Sequence, residues 1–131
     1  MATITRDIPL ATTPEHLWDR LRDVGGINTL IDMLGEVTVE GDRRTCSLGD
    51  RGTLDERILS VDAGTRRVAY TIRESPFGFE HHSASMQAVA GADGTARLVW
   101  ITDFAPDALA PAVEEVVDNA AASISRALGA A

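Results

Sequence analysis

The sequence contains no lysine; all 12 of its basic residues are arginine. That excludes every mechanism resting on a lysine amine, among them Schiff-base catalysis and the lysine of a Walker-type phosphate loop. It contains one cysteine, Cys46, so neither an intrachain disulfide nor a multi-cysteine zinc site can form. No apolar run approaches the ~20 residues of a membrane helix. The stretch from Met1 to Arg6 has no apolar signal core, and Asp7 follows at once. Internal repeats, low-complexity tracts and linkers are missing as well. The expectation from these absences is a soluble, cytoplasmic protein.

What is present is ordinary in amount but uneven in sign. Twenty acidic residues against 12 basic ones leave a net charge of −8. An acidic chain lacks the positive footprint of a duplex-DNA or anionic-membrane binder. A length of 131 residues, 44% of them hydrophobic and 24% charged, fits one globular domain over residues 1–131.

Residues Ala2 to Leu10 carry Ile4, Ile8 and Leu10 at alternate positions, the mark of a strand. Thr13 is placed to cap a helix and Pro14 suits its first turn. Leu17, Trp18, Leu21 and Val24 follow at helical spacing, and Gly25-Gly26 is expected to end that helix. A second short helix is expected from Ile27 to Leu34. From Glu36 the period changes to two. Strands are expected over Glu36–Glu40, Arg43–Leu48, Thr53–Val61, Arg66–Glu74, Phe79–Val89 and Ala96–Phe104, joined by hairpin-length turns. A last helix runs from Pro111 to Leu128, with Val113, Val116, Val117, Ala120, Ala121, Ile124, Ala127 and Leu128 on one face. The fold class is α+β: an antiparallel sheet with a long amphipathic helix over its apolar face.

Several short motifs in this order resemble the START/SRPBCC superfamily, the helix-grip fold, and within it the polyketide cyclase/dehydrase-like proteins. They are Ile8-Pro9-Leu10-Ala11-Thr12-Thr13-Pro14-Glu15 followed by Leu17-Trp18; Val39-Glu40-Gly41-Asp42 with Arg44; Gly52 with Glu56-Arg57-Ile58; Asp62 before Arg66 and Tyr70-Thr71-Ile72; the Pro76 loop; and Val99-Trp100 with Phe104. The likeness covers essentially the whole chain. It implies a sheet curled around the last helix, with a cavity between them for a small hydrophobic molecule. Many relatives carry Trp-His-Pro where this chain has Leu30-Ile31-Asp32, and Tyr where it has His82.

Period two then assigns the faces. Arg44, Cys46 and Leu48 go together, as do Leu54, Glu56 and Ile58. Val68, Tyr70, Ile72 and Glu74 form a third set. Glu80, His82, Ala84, Met86 and Ala88 form a fourth, and Leu98, Trp100, Thr102 and Phe104 a fifth. A hairpin centred on Asp50 sets Arg44 opposite Glu56. That pair either neutralises itself in the core or orients a ligand. His82 is the candidate acid/base, because an imidazole titrates near neutrality; its other reading is a hydrogen-bonded core histidine. The expected catalytic residues are therefore His82, Glu56 and Arg44, and the expected ligand contacts Tyr70, Glu74, Glu80, Met86, Trp100 and Thr102. Tyr70 and Trp100 either stack on a ligand or fill core volume. Cys46 reads as a small buried hydrophobe rather than a nucleophile. His81 and His82, adjacent on a strand, face opposite sides and form no metal pair. No cofactor, metal or nucleic acid is expected, and a homodimer stays open.

Three functions fit this sequence. The first is a cofactor-free cyclase or dehydratase acting on a polyketide-like or other natural-product molecule. The second is a non-catalytic carrier or sensor of a hydrophobic ligand. The third is a protein-interaction module with an incidental cavity.

Overall fold

The computed structural model describes residues 1–131. Seven strands form one antiparallel sheet: β1 (Ala2–Leu10), β2 (Val37–Glu40), β3 (Arg43–Ser47), β4 (Thr53–Asp62), β5 (Arg67–Glu74), β6 (His81–Ala90) and β7 (Ala96–Ala105). Their order across the sheet is β1-β7-β6-β5-β4-β3-β2. Helix α1 (Pro14–Arg22) follows β1, and the long helix α2 (Ala110–Leu128) closes the chain. The inner face of the curved sheet packs on α2 through one cluster that includes Ile4, Leu10, Val68, Met86, Leu98, Phe104, Val113, Val117 and Ile124. This is the helix-grip arrangement that the resemblance implies, in the α+β class that the patterning implies.

Local chemistry explains the elements. Thr13 Oγ1 accepts the His16 N–H at 3.1 Å, which caps α1, and Pro14 occupies the first turn, where its missing N–H costs nothing. Leu17, Trp18 and Leu21 then face the core, and α1 lies mainly along β6. At the other end Gly129 takes φ +95° after α2, and a side chain there would crowd Ala11 Cβ at 3.2 Å. That close approach lets Ala11 N–H reach Gly129 C=O at 2.9 Å and ties the two ends of the fold together.

Two local expectations are corrected. Gly25-Gly26 does not end α1; the helix stops at Arg22, and both glycines lie in a 3₁₀ turn, Val24–Thr29. The second short helix is present but lies earlier than Ile27 to Leu34, as that 3₁₀ helix over Val24–Thr29, and residues 30–34 fall outside it. Two backbone groups there find a tertiary partner. Ser123 Oγ on α2 donates to Leu30 C=O at 2.7 Å and accepts the Asp32 N–H at 2.9 Å. Gly35 N–H bonds Ser47 C=O at 2.8 Å, and Asn28 Nδ2 donates to Gly35 C=O at 2.9 Å. Within the segment the Leu30 and Ile31 N–H groups bond Ile27 C=O at 3.1 and 2.9 Å and Leu34 N–H bonds Ile31 C=O at 3.2 Å, so local turns and tertiary partners together satisfy its backbone. On α2, Ser123 is buried and Ala127 exposed, the reverse of what side-chain polarity alone implies.

Two bulges set the phase of β4 and β5. Glu56 faces Ile72 but Asp55 faces Glu74, which leaves Arg73 as the extra residue. Ile58 faces Tyr70 and Ser60 faces Ala69, which leaves Leu59 extra. Each extra residue inverts the inside-outside alternation beyond it.

Candidate functional site

Between the inner face of the sheet, the 27–34 segment and α2 lies a cavity of about 100 Å³, the volume open to the centre of a water molecule. One water needs only roughly 10–15 Å³ on that measure, so there is room for a small organic molecule or a cluster of waters. Of 22 lining residues, 18 are hydrophobic, and the polar exceptions are Arg44, Glu56, His82 and Thr102. All four are buried, with relative exposures of 4%, 4%, 6% and 3%. The half-buried side chains of Met33, Leu34, Phe77 and Val116 also line it, which places its mouth between the 27–34 segment, the β5–β6 loop and the first turns of α2.

Arg44 on β3 pairs directly with Glu56 on β4. The guanidinium Nε–H donates to Glu56 Oε1 at 2.7 Å, and Nη1 donates to the Val24 carbonyl at 3.1 Å. The Cys46 thiol, one alternate position along β3, lies 3.5 Å from the same carboxylate oxygen. Arg44 Cζ stands 5.3 Å from the centre of the Tyr70 ring, a cation–π contact that continues the site into β5. Tyr70 Oη in turn accepts from Trp100 Nε1 at 3.2 Å. Burial, and then the nearby Glu56 carboxylate, hold the Cys46 thiol protonated, with its pKa pushed up to about 12. The same two causes raise the Tyr70 phenol well above its usual range, and it too stays protonated.

His82 on β6 borders the other side of this group. Its Nδ1 accepts the Ile72 N–H at 2.9 Å, and its own carbonyl accepts from Thr71 Oγ1. Burial, with a lesser push from His81, lowers its pKa to about 4. The ring is therefore neutral near pH 7. Since Nδ1 is an acceptor, the single proton sits on Nε2. The cavity-facing nitrogen is a hydrogen-bond donor with no lone pair left to act as a base. Rings surround it, with Phe79 at 5.0 Å and Tyr70 at 5.8 Å between centroids.

No buried side-chain nitrogen or oxygen in the protein is sealed off without a partner. Glu56 Oε2, Arg44 Nη2, His82 Nε2 and Thr102 Oγ1 have no protein partner among the hydrogen bonds, so each keeps open surface, and the cavity they line supplies it. The floor of the site presents one free acceptor, two free donors and a hydroxyl that can be either.

Of the residues expected at the site, Arg44, Glu56, His82, Tyr70, Met86, Trp100 and Thr102 line this one cavity. Glu74 and Glu80 do not; both are exposed. The Arg73 bulge turns Glu74 to the Asp55 side of the sheet, away from Ile72. Glu80 precedes the first residue of β6, where it is tied only by its N–H to Ala105 C=O at 2.8 Å. Patterning missed the aromatic wall of Phe77 and Phe79, the 27–34 contributions of Ile27, Ile31, Met33 and Leu34, and the buried Ser123. Two phenylalanines flanking Gly78 were the available signal, in a chain with only three.

Residues 1–130 match the family of polyketide cyclase/dehydrase and lipid-transport proteins. No protein of curated function matches the chain in sequence. Among solved structures, the Bacillus cereus protein XoxI superposes with a TM-score of 0.89 at 18% identity, over 98% of this chain and 96% of that one. A Thermobifida fusca protein gives 0.80 at 24% identity, over 97% and 95%. Norcoclaurine synthase of Thalictrum flavum, in complex with dopamine and hydroxybenzaldehyde, gives 0.73 at 14% identity, over 95% and 84%. At these identities the structural likeness is one of fold. The match over residues 1–130, with a curved sheet gripping α2 and the cavity it encloses, makes this chain a member of the polyketide cyclase/dehydrase and lipid-transport family, with the helix-grip fold.

Proposed function

We propose that the protein acts as a single cytoplasmic domain that binds a small, largely apolar carbonyl compound of the polyketide or natural-product kind and promotes its cyclisation or dehydration without a cofactor. The observation that carries this reading is the carboxylate of Glu56. It is 4% exposed, yet only Oε1 is held, by Arg44 and Cys46, while Oε2 stays free at an apolar cavity. A buried oxygen left free in such a place is suited to take a proton from carbon.

In dehydration of a β-hydroxy ketone, Glu56 Oε2 removes the proton from the carbon between the two oxygenated carbons. The electron pair of that C–H bond moves into the enolate, whose oxygen is met by the Nε2–H of His82. The enolate then forms the carbon–carbon double bond as the C–O bond breaks, and the departing hydroxide takes back the proton from Glu56 and leaves as water. Arg44 holds the carboxylate in place and donates from Nη2 to the departing oxygen. His82 here is an oxyanion donor, not the acid/base its residue type implied, because Nδ1 is committed to Ile72 N–H. A family that includes cyclases and dehydrases supports the reading, as does a neighbour of this fold in complex with an aromatic aldehyde.

The second reading is a non-catalytic carrier, favoured by the wall of 18 hydrophobic residues among 22. The aldol of benzaldehyde and acetone tests the two readings, with its loss of water to benzalacetone followed by ultraviolet absorbance. Dehydration above the buffer rate, cut at least about 100-fold in Glu56→Gln with the fold intact by circular dichroism, is the expected result. Binding with no acceleration leaves the carrier.

A further inference from the structure

We propose that the cavity selects a neutral ligand carrying a hydroxyl and, across the Tyr70 ring from it, a carbonyl, and that it turns away ionised lipids such as fatty acids. This rests on the ligand-binding reading above, but not on catalysis, and it names the polar pattern of the molecule.

The free atoms at the cavity dictate that pattern. Glu56 Oε2 can only accept, and Arg44 Nη2 beside it can only donate. A hydroxyl is a small neutral group that satisfies both at once, since it donates its proton to Oε2 and accepts from Nη2. His82 Nε2–H can only donate while Nδ1 is held by the Ile72 N–H, so it needs an acceptor, and a carbonyl or ether oxygen fills that role with no proton of its own left unpaired. Arg44 Cζ lies 5.3 Å from the Tyr70 ring centre and the His82 ring 5.8 Å from it. Both points therefore border the same ring, and Phe79 stands 5.0 Å from the His82 ring beside them.

Charge decides what is excluded. The cavity holds one cation and one anion, and they are already paired at 2.7 Å. His82 is neutral, so no further cation is at hand. A second of Arg44's three nitrogens is held by the Val24 carbonyl. An entering carboxylate leaves two anions sharing one guanidinium in an apolar enclosure, and an uncompensated buried charge is costly. The same enclosure accepts a ketone or an alcohol without penalty once its hydrogen bonds are made.

The test removes groups from the ligand, so the protein is never altered and cannot fail to fold. Four probes are titrated by amide chemical-shift changes: the aldol of benzaldehyde and acetone, benzylacetone, α-propylbenzyl alcohol and β-hydroxy-β-phenylpropionate. The second lacks the hydroxyl, the third lacks the carbonyl, and the fourth replaces the ketone by an ionised carboxylate. The expected result is that the hydroxy ketone binds about tenfold or more tighter than each of the others at pH 7. Affinities within threefold of one another, tighter binding of the carboxylate, or no binding of any probe at millimolar concentration each overturn the proposal. The outcome stands apart from turnover: a cavity that ranks the probes as expected but releases no benzalacetone retains this inference and loses the catalytic one.

Discussion

Arg44 and Glu56 face each other on β3 and β4, and the guanidinium Nε–H donates to the carboxylate at 2.7 Å with both side chains 5% exposed. Each residue makes the other tolerable in the core. Removal of one strands the other as an unpaired buried charge, whereas removal of both takes away the desolvation cost along with the attraction. Arg44→Met and Glu56→Leu are each expected to lower stability by about 3–5 kcal/mol in urea titrations. The double variant is expected to recover at least half of that loss while any dehydration of the benzaldehyde–acetone aldol disappears. A double variant as unstable as the worse single one contradicts this account of the pair.

His82 gives stability a pH dependence with a definite sign. Its pKa falls from the ordinary ~6.5 of an unfolded histidine to about 4 in the fold. Between those values the unfolded chain binds more protons than the native protein. The stabilisation from keeping His82 neutral is fully present above about pH 6.5, declines as the pH falls, and is lost below about 4; at most it amounts to about 3 kcal/mol. In urea titrations at pH 7 and 4.5, wild type is expected to lose more stability than His82→Gln. Equal losses in the two proteins overturn the assignment. The His82 ring protons are also expected to show no titration above pH 5 in NMR spectra.

Ser123 Oγ donates to Leu30 C=O and accepts from Asp32 N–H, which fastens the 27–34 segment to α2. Ser123→Ala leaves two backbone groups short of a partner and is expected to cost about 1–3 kcal/mol. Ile31, Met33 and Leu34 line the cavity from that segment. Hydrogen exchange at residues 30–34 is therefore expected to accelerate more than at β6 or β7. Uniform acceleration across the protein counts against a local fastening.

Cys46 is fully buried, and its thiol pKa is pushed up to about 12. Thiol reactivity follows the thiolate and its access to reagent. Ellman's reagent at pH 8 is expected to leave Cys46 untouched in the native protein and to modify it on unfolding in urea. Prompt reaction of the native thiol refutes the placement.

Arg44 opposite Glu56 was legible because a two-residue period and a turn centred on Asp50 fix both register and face. The shared face of His82, Met86, Trp100 and Thr102 was legible for the same reason. Glu74 was not, because the Arg73 bulge shifts the register by one residue and leaves no mark in hydrophobicity. Ser123 was not, because its partners Leu30 and Asp32 lie more than ninety positions away in the chain.

The sequence by itself determined the elements, the α+β class, the inward faces of the regular strands and the absence of any lysine or thiol-cluster chemistry. These follow from local periods, capping residues and composition, each written within a few neighbouring positions. Only the tertiary structure decided which atoms of the inward residues are free. Ile72 N–H commits His82 Nδ1 and turns an expected base into a donor, and Arg44 with Cys46 commits one oxygen of Glu56 and leaves the other open. Those commitments arise between strands and loops distant in sequence, where hydrogen-bond partners are set by packing rather than by spacing.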